Sequence, residues 1–225
     1  MEEKKFVSVL KSEFNIKEFV KQKYGKGKIS DVKIEYTPLG EKIIIATHKP
    51  GLIIGKNGEK IAEITEILKK NFKMENPHIT IEEIRKLEFD AQLVADEIAL
   101  AMERFGLARH KSVCYKMLGR IKKAGALGCE IRASGKLPSD RAKSWRYTFG
   151  YLKKTGGSAD VVDKAKSVAE TKQGVAGIKV AILTPEAKIH DRIDITEDLL
   201  AQIKKNAAFK EEVQKEKKTK KIKKQ

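Results

Sequence analysis

Four consecutive residues, Gly55-Lys56-Asn57-Gly58, have the composition of a turn that binds an anion. Glycine has no Cβ, so another backbone can approach both ends of this turn closely. Apolar residues at helical spacing begin at Ile61, so the turn is predicted to open a helix, whose free N–H groups favour phosphate. Lys56 and Lys60 add positive charge. A structural turn between two helices is the alternative interpretation.

Hydrophobic periodicity predicts the elements that position this turn. A helix is predicted to begin at Asn15, interpreted as its N-cap, and to end near Tyr24, after a separate amphipathic segment at residues 5–14. A short helical turn is predicted before Gly55. Strands are predicted at 29–36, 42–48 and 78–84, and the helix after the glycine turn is predicted to reach Phe72. The predicted order over residues 1–86 is α-β-β-α-α-β.

The residues from Ile53 to Ile61, Ile-Ile-Gly-Lys-Asn-Gly-Glu-Lys-Ile, resemble the signature loop of the KH RNA-binding module. In that module a glycine loop clamps the nucleic-acid backbone. Two strands are predicted before the loop and one after it, which matches the type II order of the module. The resemblance implies RNA-binding roles for Gly55, Lys56, Asn57, Gly58 and Lys60. A Walker-type phosphate loop is excluded, because no Gly-Lys-Ser/Thr is present at the required distance.

Positive charge is concentrated in one part of the chain, whose net charge is +17. Residues 1–103 carry 18 basic and 18 acidic side chains, whereas residues 104–159 carry 14 basic side chains and only two acids, Glu130 and Asp140. Such a concentration indicates a polyanionic partner. No acid lies between Glu103 and Glu130, so the charge of Arg120 is predicted to lack a local partner.

A second domain is predicted at residues 87–200 and a lysine-rich mobile tail at 201–225. Apolar stripes predict helices at 88–105 and 109–123. Strands are predicted at 129–134, 145–152 and 178–182, separated by a basic loop at 135–143. Residues 161–171 are ambiguous, and their composition favours a helix. The overall prediction is an α+β chain in which two helices pack against three or four strands.

Four motifs in this second domain carry a further resemblance. They are Gly128-Cys129-Glu130-Ile131, Ser134-Gly135-Lys136-Leu137, Arg141-Ala142-Lys143-Ser144 and Gln173-Gly174-Val175-Ala176-Gly177-Ile178-Lys179-Val180. Together with the type II KH module, they resemble the family of ribosomal protein S-three of the small subunit, in its archaeal or eukaryotic form. The resemblance covers roughly residues 5–185. It implies that residues 161–171 form a strand, and we adopt that expectation.

The resemblance also implies a function: binding ribosomal RNA (rRNA) in the head of the small subunit and lining the channel where messenger RNA (mRNA) enters. The family's basic pair falls on Lys111 and Ser112, the second of which departs from arginine. Neighbouring ribosomal proteins are implied partners, and a cytoplasmic, ribosome-associated location is implied. RNA contacts are predicted for two groups: Arg109, Lys111, Lys116 and Arg120 on the second helix, and Lys136, Arg141, Lys143 and Arg146 at the basic loop.

The sequence offers no catalytic constellation, metal site or cofactor motif. Four histidines, His48, His78, His110 and His190, are scattered and are interpreted as surface or turn residues. The acids at 191–198 are interpreted as the approach to a final helix. The unpaired cysteines, Cys114 and Cys129, indicate a reducing compartment. No small-molecule substrate, signal peptide or membrane segment is expected.

Two further interpretations complete the sequence-based expectations. Trp145, Tyr147, Phe149 and Tyr151 alternate along a predicted strand, so they are expected to pack in the core rather than to stack on bases. The alternative function is an enzyme that processes nucleic acid, such as a lyase acting on damaged DNA. The sequence offers no carboxylate cluster for metal-assisted cleavage, and no single lysine stands out as a nucleophile.

Overall fold

A computed structural model describes residues 2–187 apart from 39, 73, 75 and 138, together with residues 189 and 200. The chain divides into compact units at 1–188 and 189–225, and all the helices and strands named here belong to the first unit. Its elements in order are α1 (Glu2–Tyr24), β1 (Ile29–Thr37), β2 (Gly40–Thr47), α2 (Pro50–Ile54), α3 (Glu59–Phe72), β3 (His78–Glu83), α4 (Ala91–Phe105), α5 (His110–Ala124), β4 (Gly128–Gly135), β5 (Lys143–Gly150), β6 (Asp163–Thr171) and β7 (Gly174–Leu183). The predicted tail at 201–225, His190 and the acids at 191–198 lie outside the described residues.

The N-terminal half forms a three-stranded sheet in the order β1-β2-β3, with β1 antiparallel and β3 parallel to β2. Alternation along β2 buries Ile43 and Ile45, against which Val20 of α1 and Leu68 of α3 pack in one hydrophobic cluster. The predicted order α-β-β-α-α-β is confirmed. The sheet and its helices therefore hold the chain on both sides of the glycine turn.

The helix predicted to begin at Asn15 begins much earlier, because α1 is continuous from Glu2 to Tyr24. Asn15 is therefore not an N-cap, and residues 5–14 are not a separate segment. The physical reason is that residues 2–24 contain neither glycine nor proline, so nothing interrupts the backbone hydrogen bonds. The apolar residues of this first half, among them Phe6 and Phe14, are exposed, whereas Ile16 and Val20 are buried.

The C-terminal half forms a four-stranded antiparallel sheet in the order β5-β4-β7-β6, covered on one face by α4 and α5. Residues 161–171 contain strand β6, so the expectation taken from the family is confirmed and the helical preference of the composition is wrong. Ala165, Ser167 and Ala169 alternate inward, where their small side chains let α4 pack closely over the strand. Tertiary packing here overrides local propensity.

Polar contacts join the two halves where α1 leads into β1. Lys26 Nζ lies 3.0 Å from Glu103 Oε1 of α4 and 2.9 Å from the carbonyl of Val168 in β6. The backbone N–H of Gly27 donates to Asp96 Oδ2 at 2.9 Å, and Ser30 Oγ donates to Asp90. These contacts fix the KH-like half against the C-terminal half at one place.

Candidate nucleic-acid interface

The glycine turn is a solvent-facing loop whose backbone conformation favours glycine. Gly55, Asn57 and Gly58 have φ of +74°, +52° and +81°, in the left-handed region that side chains rarely adopt. A Cβ at Gly55 would lie 2.9 Å from Cγ of Lys60, so this position also lacks space. Lys56 and Asn57 project into solvent at the tip. The loop thus presents a cation and backbone groups immediately before α3.

The segment before the turn is anchored in the core. Proline at the first position favours helix initiation, and α2 begins at Pro50. Ile53 is fully buried, and its carbonyl accepts a hydrogen bond from Tyr24 Oη at 3.2 Å. Burial, with a smaller contribution from Glu63, raises the pKa of Tyr24 to about 12, so the phenol remains a donor at neutral pH. Lys60 Nζ donates to the Leu52 carbonyl at 3.4 Å, so the exposed side chain of Lys60 connects α3 to the segment before the loop.

The first turn of α5 rests on Trp145 of β5. Lys111 Nζ lies 4.5 Å from the centre of the Trp145 ring, within the range of a cation–π contact. His110 is buried beside the same ring and its Nδ1 lies 2.8 Å from the Leu107 carbonyl. The prediction that His110 is a surface or turn histidine is wrong, because packing on Trp145 buries it. The aromatic ring thus determines where Lys111 is held.

The basic loop is attached to the same tryptophan. Trp145 Nε1 donates to the carbonyl of Leu137 at 3.4 Å, and Leu137 itself is fully buried. The cations predicted to bind RNA here are all exposed: Lys136, Arg141, Lys143 and Arg146. The structure therefore brings the start of α5 and the backbone of the basic loop, 20 or more residues apart in sequence, to the same tryptophan, whereas Arg146 lies on the opposite face of β5. Arg109 and Lys116 of the helix group are exposed as well.

The predicted isolation of Arg120 is wrong. Its Nη1 lies 2.6 Å from Glu97 Oε1 of α4, and its Nη2 lies 3.4 Å from Glu88 Oε1. Burial would lower the pKa of Arg120, but these two carboxylates outweigh it and raise the pKa. The two partners are acids distant in sequence, and both lie outside the acid-free segment between Glu103 and Glu130. Arg120 therefore joins α4 to α5, and a role in RNA binding stays a prediction.

The aromatic residues of β5 divide between core and surface. Tyr147 is buried and Trp145 and Phe149 pack against the same cluster, as expected, but Tyr151 is exposed. Tyr151 lies beyond the end of β5, where the alternation of the strand no longer applies. The sequence did not suggest that Trp145 positions the binding residues. The only local indication of such a role is that Trp145 lies between two basic residues, Lys143 and Arg146.

The described part of the chain shows no group of three or more potential metal ligands. Among the same residues, no helix has the length and apolar character needed to cross a bilayer. Both cysteines are unpaired and buried, and burial raises the pKa of each thiol to about 12. Neither thiol is therefore set up as a nucleophile.

The fold and the loop define a class: proteins with a KH domain followed by a second α+β domain. Residues 15–89 match the family model of the KH domain, and residues 98–182 match that of the ribosomal protein S3 C-terminal domain. Small ribosomal subunit protein uS3 of Methanocaldococcus jannaschii is 39% identical over 88% of this chain and 95% of its own length. The uS3 protein of Archaeoglobus fulgidus is also 39% identical, over 86% of this chain and 83% of its own length.

The chain therefore belongs to the uS3 family of small ribosomal subunit proteins. The members of this family are structural proteins of the ribosome rather than enzymes. The expectation of a non-enzymatic protein is thereby confirmed.

Proposed function

We propose that this protein is a structural constituent of the head of the small ribosomal subunit, in the cytoplasm. It binds rRNA and contributes to the channel through which mRNA enters. Its neighbours there are other ribosomal proteins. Family membership supports the placement in the small subunit.

The observation that carries the RNA-binding role is the solvent-facing loop at Gly55–Gly58. Its backbone has positive φ at three of the four residues, which are glycine or asparagine. Lys56 and Asn57 are exposed at its tip, while Ile53 and Tyr24 fix its base. In KH modules such a loop clamps the backbone of a single strand. The loop therefore has the chemistry of a phosphate clamp.

The contribution to the mRNA channel is supported by the start of α5. Lys111 is held on Trp145, and the basic loop is attached to the same ring through the Leu137 carbonyl. A moving strand needs positive charge without base-specific contacts, because its sequence changes continuously. We infer that Lys111, Arg109 and Lys116 contact mRNA phosphates, with Ser112 supplying a neutral hydroxyl where the family has arginine.

Co-sedimentation with ribosomal subunits tests the proposal. The tagged protein is expected to migrate with the small subunit at moderate salt and to remain absent from the large subunit. Binding of the purified chain to RNA is expected to weaken steeply with salt, because binding releases counterions from the phosphates. Migration as a free protein in cells with intact subunits, or an affinity insensitive to salt, would contradict the proposal.

A further inference from the structure

The outer face of the C-terminal sheet carries a row of four cations, one from each strand. Strand register places Arg146 of β5 opposite Arg132 of β4, Arg132 opposite Lys179 of β7, and Lys179 opposite Lys166 of β6. All four side chains are exposed. Neighbouring strands lie about 4.8 Å apart, so this cationic row spans roughly 14 Å. Apart from Arg146, its members were not among the predicted binding residues.

The charges in this row are poorly balanced. Glu130, on the same face, contacts Arg132 at 3.1 Å and also contacts Lys154. Across the described part of the chain, no ion pair or side-chain hydrogen bond connects Arg146, Lys166 or Lys179 to an acid. Like charges directly opposite one another destabilise a sheet. An arrangement that is unfavourable in the free chain becomes favourable when an anion lies across it.

A hollow lies along the row. Its volume is about 220 Å³, and Arg132, Lys164, Lys166 and Lys179 line it together with Glu130 and the small side chain of Ala181. Because the side chain of Ala181 is short and its lysine neighbours are long, space remains between the lysine side chains. An anionic group could enter this space as far as the strands. A phosphate with bridging water would meet cations from three strands there.

We propose that this cationic row is a further RNA-binding surface and that its occupant is the phosphate backbone of rRNA. The proposal rests on the ribosomal function proposed above. It selects rRNA over mRNA because the row lies on the face of the sheet opposite α4 and α5, whereas the cations proposed to contact mRNA lie at the start of α5. The row and the proposed mRNA contacts therefore face different ways.

Binding measurements on the full chain provide the first test, with a 20-nucleotide poly(U) strand as the probe. The variant Lys166→Gln with Lys179→Gln removes two cations that have no ion-pair partner within the described ranges, so it should fold normally. Its control, Lys4→Gln with Lys11→Gln, removes the same charge from exposed positions of α1. We expect the sheet variant to bind roughly tenfold more weakly at about 0.1 M salt. The slope of log affinity against log salt concentration should also be smaller by about 1.4, because each of the two lost phosphate contacts contributes about 0.7.

The outcomes separate this inference from the function on which it rests. Equal small losses in the sheet variant and the control would overturn the inference, since only net charge would then matter. If loop variants at Lys56 and Asn57 lose binding while the sheet variant does not, the proposed function stands and the inference fails. If the parent chain binds no RNA, the proposed function itself fails. Tighter binding of polyglutamate than of poly(U), lost in the sheet variant, would assign the row to an acidic protein.

A cross-linking experiment on assembled subunits identifies the occupant. The variant Lys179→Cys would carry a thiol-linked photo-crosslinker, and the two native cysteines are buried and so resist labelling. We expect cross-links to rRNA that are equally strong with and without bound message. A variant labelled at Lys4→Cys provides the control for random proximity. Cross-links that appear only with message, or only to protein, would overturn the assignment to rRNA.

Discussion

At the scale of single residues, Lys116 and Arg120 show how one helix turn separates two roles. Both carry a positive charge and lie four residues apart on α5. Arg120 is paired with Glu97 and Glu88, whereas Lys116 is exposed, and no ion pair involving it occurs among the described residues. Arg120 therefore contributes to the packing of α5 on α4, and Lys116 remains available to an external anion.

We expect Arg120→Ala to lower the free energy of unfolding by about 1 kcal/mol, because two carboxylates lose their partner and the arginine is only partly exposed. Lys116→Ala should change it by no more than about 0.5 kcal/mol. Chemical denaturation of both variants measures the difference. A larger loss for Lys116→Ala than for Arg120→Ala would show that the ion pairs do not hold the helix.

At the scale of elements, the glycine turn and the start of α5 are each held by residues packed in or against a core while their tips remain exposed. Ile53 and Tyr24 anchor the turn, and Trp145 anchors the start of α5. Because the anchors and the exposed cations are different residues, charge can be changed at the tip without loss of core packing. Function and stability can therefore be tested separately in both elements.

For the glycine turn, we expect Lys56→Asp with Asn57→Asp to weaken RNA binding at least tenfold, because acids at the tip repel phosphate. The thermal midpoint should change little, since neither side chain is buried. Fluorescence anisotropy and circular dichroism measure the two effects.

The control for this variant is Lys4→Asp with Ser8→Asp, which makes the same change in net charge on the exposed surface of α1. It should retain most of the affinity. Loss of the KH-like fold in the loop variant would show that the turn is structural. Equal binding losses in the two variants would show that net charge alone is responsible.

For α5, we expect Lys111→Ala with Lys116→Ala to leave subunit assembly intact and to slow translation of messages with stable stems. The reason is that both cations are exposed and outside the packed face formed by Cys114, Met117 and Ile121. Translation of matched structured and unstructured messages in a reconstituted system measures the effect. Equal defects on both messages, or failed assembly, would assign this helix face to rRNA anchoring instead.

At the scale of the whole molecule, the relation of the two halves depends on a small polar junction. Lys26 bridges to Glu103, and the backbone N–H of Glu170 also donates to Glu103 at 3.0 Å. Burial would raise the pKa of Glu103, but the hydrogen bond from Glu170 and the contact with Lys26 outweigh it and lower the pKa below 4.5. The carboxylate is thus more stable as an anion in the folded protein.

This shift gives the junction a pH dependence of known sign. Because the pKa of Glu103 is lower in the folded protein than in the unfolded chain, its ionised form stabilises the fold. This stabilisation is complete above about pH 4.5 and is lost as the pH falls through the pKa of the folded state. We expect Glu103→Gln to destabilise the protein at pH 7 and to have a smaller effect near pH 3. Urea denaturation at both pH values measures this difference. The control is Glu66→Gln, at an exposed ion pair, and an effect of Glu103→Gln that is the same at both pH values would contradict the assignment.

Local sequence determined most of the elements and the glycine turn. Periodicity at Val20, Ile43 and Ile64 corresponds to buried positions, because an amphipathic element has only one face that can enter a core. The motif Gly55–Gly58 predicted its own loop, since its positive φ values depend on residues within the motif. The absence of glycine and proline from residues 2–24 is a further local signal, and it indicates the full length of α1.

Only the tertiary structure decided the pairing of Arg120, the alignment of cations across the sheet and the packing of α4 over the strand at 163–171. Each depends on residues distant in the chain: α4 over Ala165, Glu97 beside Arg120, and strand register between Arg132 and Lys179. Propensity and charge counting consider neighbours in sequence, whereas these contacts arise from packing in space. For the same reason the sequence predicted Lys111 as a binding residue but could not predict the aromatic ring that holds it.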